Sequence, residues 1–182
     1  MKDAENLTLQ DELLLAYSLT AFDANNRATG SINGTWGVEK VKQDAVFGRT
    51  SFPPVTLPIP HNGKILASVV LVEIDDYQTT QSWLKNAQKV GTVVSVPAIF
   101  LEIGALATPL KYISAGLVAA GVGFELTQKI DNDDILGQTN HEFSYAQALR
   151  QPIIKVAVPF KGKRGLTTYD YNLSFEIKQL SR

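Results

Sequence analysis

From Thr168 to Leu180 the chain alternates with a period of two: Tyr169, Tyr171, Leu173, Phe175 and Ile177 fall on one side, and Asp170, Asn172, Ser174, Glu176 and Lys178 on the other. Side chains of a strand point to opposite faces in turn, so this segment makes a strand with one apolar and one solvated side. The apolar side must be covered by a second layer, which commits the chain to a packed β architecture. A second run, Ile65 to Ile74, is rich in Val, Leu and Ile and has too little polarity for a solvated strand, so it belongs at the centre of a sheet.

The remaining segments fit the same scheme. Leu13 to Phe22 is apolar at most positions and stops at Asp23-Ala24-Asn25-Asn26, whose short polar side chains bond nearby backbone and turn the chain. Thr29 to Trp36 contains Asn33-Gly34, a dipeptide suited to a tight turn with positive φ, so a hairpin continuing through Trp36 and Val38 is expected. Prolines at 53, 54, 58 and 60 lack backbone donors and leave Phe52 to Pro60 as an edge strand or an extended connection. His61-Asn62-Gly63 makes another turn. Ile153 to Phe160 reads as a short strand, and Lys161-Gly162-Lys163-Arg164-Gly165 as a solvated loop leading to the last strand. Strands joined by turns predict two packed antiparallel sheets in one domain spanning residues 1–182.

Residues 79–129 are the exception. Leu84, Ala87, Gly91, Val94, Ala98 and Leu101 recur at steps of three and four, a helical stripe that Pro97 kinks or divides. Thr108-Pro109 supplies a capping residue followed by proline at the first helical position, so a second helix begins there and completes a helical hairpin. Between Val90 and Phe124 the only formal charges are Glu102 and Lys111. Such a hairpin can fold over the sheets, dip into a membrane surface with Lys85, Lys89 and Lys111 at the headgroups, or dock on a protein partner. A bilayer span needs about 20 consecutive apolar residues, and neither helix offers that free of charge.

Composition narrows the function classes. A net charge of −1 with 19% charged residues gives no electrostatic footprint for nucleic acid. The absence of cysteine excludes disulfides, thiolate zinc sites and cysteine nucleophiles. Met1 to Asn6 lacks the basic and apolar regions of a secretory signal, so a cytoplasmic protein, with membrane association left open, is expected. His61 and His141 are far apart and both are expected in turns or loops, which rules out a three-histidine zinc site and leaves a mixed site of His141 with Glu142 as an option. No nucleophile elbow or phosphate-binding loop occurs, and Gly121-Val122-Gly123 lies inside the expected helix without a third glycine. The expectation is a protein without catalytic residues.

Five carboxylates bracket the hairpin: Asp75 and Asp76 before it, Asp131, Asp133 and Asp134 after it. If the strand ending at Ile74 and the chain re-entering at Ile135 are neighbours, these groups converge. Calcium takes six to eight oxygen ligands and offsets carboxylate repulsion; without it the same residues turn the chain or point into water. Val70 to Asp76 together with Asp133-Asp134-Ile135-Leu136-Gly137 resembles the third-loop region of C2 domains. The resemblance implies an antiparallel C2-like β-sandwich carrying the helical hairpin in its third loop. It also implies calcium ligation by Asp75, Asp76, Asp131 and Asp133, with Asp134 holding the turn, and contact of the loop with phospholipid. The chain departs from that family in its contiguous Asp75-Asp76 and in lacking the Asp-Pro-Tyr element of the first calcium loop, where only Asp23 could stand in. Three functions follow, in this order: a membrane-surface or protein-interaction module, calcium-dependent or not; a metal-free assembly domain with the hairpin as an internal lid; and an unrecognised hydrolase, which would need a pocket gathering His141, Glu142 or the aspartates.

Overall fold

The computed structural model describes residues 10–42, 44–47, 54–74, 108–109, 111–114, 135–164 and 167–180. Within them the chain is mainly β, in two antiparallel sheets. Strands β1 (Gln10–Phe22), β2 (Ala28–Lys42), β3 (Lys64–Glu73) and β4 (Ile135–Ser144) form the first sheet in the order β2-β1-β3-β4. Strands β5 (Ile153–Arg164) and β6 (Thr167–Lys178) form the second, a hairpin.

The β1–β2 turn forms where its polar residues require it. The Asp23 carboxylate accepts the Asn25 and Arg27 amides at 2.8 and 2.9 Å, and Asn26 takes the positive φ of 58° that asparagine tolerates. The second turn also stands where expected: Asn62 has φ 55°, and the Gly63 amide donates to the Pro60 carbonyl at 2.9 Å. Residues 54–60 are a connection outside both sheets rather than an edge strand. The β3 strand takes the central place between β1 and β4, and its residues Ala67 to Val72 are all buried.

Two expected turns are strand instead. Asn33 and Gly34 sit in the middle of β2, opposite Ser18 and Tyr17. Gly34 serves packing there, because the Tyr17 ring lies where a Cβ would stand. The basic loop is likewise the end of β5: Lys161 pairs with Asp170 in register, and Gly162 leaves room for the Tyr169 ring. In both places a glycine that looked like a turn signal marks a tyrosine crossing its neighbour strand.

The hairpin packs on one face of the four-stranded sheet. Leu13, Leu15, Val41, Val69, Leu71 and Leu136 of that face meet Val158 and Phe160 of β5, with Tyr169, Tyr171, Leu173 and Phe175 of β6 closing over them. The alternation in β6 is therefore as expected, apolar residues half-buried and polar ones exposed. Two contacts fix the approach: the Tyr169 hydroxyl donates to the Leu136 carbonyl at 2.8 Å, and the Phe160 ring fills the space a Cβ on Gly137 would need. A short helix α1 (Tyr145–Arg150), unforeseen in the sequence, turns the chain from β4 to β5. The Ser144 hydroxyl caps it by accepting the Gln147 amide at 3.1 Å.

Of the expected hairpin at 79–129, only 108, 109 and 111–114 are among the described residues. Residues 109 and 111–114 are helical, and the Lys111 and Tyr112 amides reach the Thr108 carbonyl at 3.0 and 3.3 Å, so a helical turn starts where the Thr108-Pro109 pair predicts it. Tyr112 and Ile113 are buried, and the Tyr112 ring meets Phe22 edge-on at 6.4 Å. Burial raises the Tyr112 phenol above its ordinary pKa, while the charge on Lys64 pulls it down.

Candidate binding site

Asp75, Asp76, Asp131 and Asp133, the expected calcium ligands, and Asp134 beside them all lie outside the described residues. Their flanking strands are neighbours, as that reading requires: β3 pairs with β4, and Val72 stands opposite Ile135. Among the described residues no three His, Asp or Glu side chains gather as a metal site. No helix there is long and apolar enough to cross a membrane.

His61 is in its turn, its ring 5.0 Å from that of Tyr145. His141 is not in a loop. It stands in the middle of β4 opposite Ala67, half-buried, with its ring 6.1 Å from Phe175 and 6.4 Å from Phe143. The option of a site shared with Glu142 fails on strand geometry, since adjacent residues of a strand face opposite ways. Glu142 instead bonds Lys64 at 2.8 Å on the other face.

Two features among the described residues are candidates. The first is a cleft of about 370 Å³ between β4 and β5, lined along one wall by Leu136 to Thr139 and His141 and along the other by Ala157 to Lys161. β4 is the last strand of its sheet and β5 the first of the hairpin, and no backbone ladder joins them among the described residues. The sheets are pinned at the Leu136–Tyr169 and Gly137–Phe160 contacts, beyond which the outer edge of β4 runs on from Gln138 to Ser144. Lys161 on the far wall is already engaged by Asp170 at 2.8 Å, so the cleft carries little net charge.

The second is a polar row inside the sheet, on the face away from the hairpin. Asn33, Ser18, Ser68 and Asn140 lie in register across all four strands, so their side chains share this face. The row is buried at Asn33, Ser18 and Ser68 and exposed at Asn140. Ser18, Thr20 and Ser31 bond one another at 3.2 to 3.4 Å. Both side-chain polar atoms of the Asn33 amide and the Ser68 hydroxyl have no hydrogen-bond partner among the described residues. Sequence reading passed over this row because Ser and Thr at every second position look like ordinary strand polarity. Only the registers of three strand pairs show that they line up.

Comparison with protein-family models, with curated proteins and with solved structures finds no match.

Proposed function

We propose that the chain is a non-enzymatic protein-interaction module, built as a C2-like sandwich with a helical hairpin inserted at 79–129, and that it engages its partner in the cleft between β4 and β5. The observation that carries this reading is the cleft itself: two adjacent strands, in contact through their side chains, leave an open slot with no backbone ladder across it among the described residues. The slot holds one histidine and one ion-paired lysine as its titratable side chains among the described residues. Such a lining, mostly apolar side chains with a few polar groups, suits recognition. The hairpin packed over the sheet is supported by the burial of Tyr112 and Ile113 and by the contact of Tyr112 with Phe22.

A photo-crosslinking residue placed at Thr139, compared with one at Asn172 on the solvated face of the hairpin, tests the reading in cells. A discrete protein adduct from position 139 and none from 172 is the expected result. Equal labelling from both positions, or none from either, would sink it.

The pairing of Val72 with Ile135 favours a second, compatible reading in which Asp75, Asp76, Asp131 and Asp133 hold calcium and govern how the inserted segment meets a phospholipid surface. Calorimetric titration with calcium and co-sedimentation with anionic liposomes, each with and without chelator, should give heat and calcium-dependent pelleting. Silence in both experiments removes calcium from the account.

A further inference from the structure

Exposed large apolar side chains are few among the described residues, and three of the five gather at one end of the molecule. Leu149 of α1, Ile153 at the start of β5 and Leu180 past the end of β6 are 57%, 53% and 67% exposed. Ile153 stands opposite Lys178, and the Gln179 amide donates to the Pro152 carbonyl at 2.9 Å. That bond carries the ladder one pair further and brings Leu180 level with Gln151. All three side chains therefore belong to residues within two positions of Arg150 or Gln151, along the chain or across the ladder. Single exposed aliphatics need no explanation, whereas a cluster of them marks an interaction site.

Beside them is a hollow of about 390 Å³ lined by Ser144, Gln147, Arg150 and Gln151. Arg150 stands in the last turn of α1, where the helix dipole favours a cation. Its Nε donates to the Ala146 carbonyl at 3.3 Å, and no carboxylate pairs with it among the described residues, so its terminal nitrogens are left for a ligand. The carboxylates nearby are engaged elsewhere. Glu142 is held by Lys64 at 2.8 Å, and Glu176 takes both Lys178 at 3.4 Å and Lys155 at 3.8 Å. At this end of α1, β5 and β6, Arg150, Lys155 and Lys178 thus stand against Glu176 alone, in a chain whose net charge is −1.

We propose that this end of the molecule binds a carboxylate set beside an apolar side chain on a partner protein. The carboxylate pairs with the Arg150 guanidinium in the hollow, and the apolar side chain covers Leu149, Ile153 and Leu180. A planar guanidinium takes a carboxylate through two parallel N–H bonds, a match that an ammonium group does not give. The Gln147 and Gln151 carboxamides, each able to donate and to accept, suit the peptide groups next to that carboxylate. A protein segment fits better than a bilayer because the cation lines a concave site, which encloses a protruding group rather than a flat layer of headgroups. The hollow shares no lining residue with the cleft between β4 and β5, so this surface goes beyond the reading of that cleft.

The test uses the whole chain and two displayed libraries of short peptides, one with free C-termini and one without, which separates chain-terminal from side-chain carboxylates. The wild-type chain should enrich peptides that carry a carboxylate next to Leu, Ile, Val or Phe, and the Arg150→Gln variant should not. In a resynthesised peptide, replacing that carboxylate by its carboxamide should weaken binding by about tenfold or more, the loss of a charge-assisted pair, and Arg150→Gln should do the same. Arg150→Lys should recover part of the loss, and Leu149→Asn or Leu180→Asn should each weaken binding by about threefold. These residues are exposed, so the urea midpoint of every variant should stay at the wild-type value, which separates lost binding from lost fold. No enrichment, enrichment that survives Arg150→Gln, or equal binding of the carboxamide peptide overturns the proposal. So does co-sedimentation with phosphatidylserine vesicles that Arg150→Gln abolishes while no peptide binds, since the occupant is then a membrane. Crosslinking from Thr139 reads the cleft alone, so either surface can fail without the other.

Discussion

The two faces of the four-stranded sheet are both buried along β1 and β3, yet they are filled by opposite chemistry. Toward the hairpin stand Leu13, Leu15, Val69 and Leu71, packed against Val158 and Phe160. On the other face the buried apolar residues Leu14, Ala16, Val70 and Val72 give way along the strands to Ser18, Thr20, Ser31, Asn33 and Ser68. The first face gains stability from every methylene it removes from water, roughly 25 cal/mol per Å². The second surrenders hydration of five polar side chains and recovers it in part, through the bonds among Ser18, Thr20 and Ser31. A sheet thus draws its stability from one side and can tolerate polarity on the other, provided most of those groups find each other.

Three substitutions sharpen that contrast. The largest effect belongs to Phe160→Ala, which empties the centre of the interlayer core and frees the site over Gly137. A loss of about 3–5 kcal/mol in urea unfolding is expected, and a loss under about 1 kcal/mol would mean the hairpin is not held by this face. Next is Tyr17, whose ring crosses Gly34 and packs against the same core. Burial raises its phenol above the ordinary 10.0, so the folded state keeps the proton longer than the unfolded one. Stability from this group is complete below pH 10 and is lost as pH rises through the folded value. Tyr17→Phe should make the alkaline decline in melting temperature shallower, with Tyr112 responsible for part of what remains. An unchanged alkaline slope breaks the assignment.

The smallest effect separates the faces most clearly. Ser68 is 1% exposed and its hydroxyl has no partner among the described residues, so Ser68→Ala removes an uncompensated polar group and leaves the fold intact. Stability should stay level or rise by up to about 1 kcal/mol, the reverse of truncation on the opposite face. A drop in urea midpoint would show that the hydroxyl has a partner, and a bound water is the first to look for.

Much of this was legible beforehand where a residue's local chemistry decides its structure. The alternation from Tyr169 to Ile177, the apolar run of β3, the Asp23 turn and the Asn62-Gly63 turn each follow from side-chain period or from φ preference, which neighbours in sequence already fix. Thr108-Pro109 likewise announced the helical turn at residues 111–114. Asn33-Gly34 and Gly162 were misleading for one reason: a glycine chosen for a turn and a glycine chosen to admit a tyrosine ring look alike in sequence. His141 was misplaced because β4 mixes polar and apolar residues too evenly to announce itself, its partners lying on β3 and on the hairpin.

The sequence by itself determined a mainly β chain, its central strand and the solvated side of its last strand, because these rest on periodicity and composition. Tertiary structure alone decided that Asn33, Ser18, Ser68 and Asn140 form one row, that Phe160 sits on Gly137, and that a cleft opens between β4 and β5. Each of these is a relation between strands distant in sequence, and register, which a shift of one residue would invert, is fixed only when the strands pair.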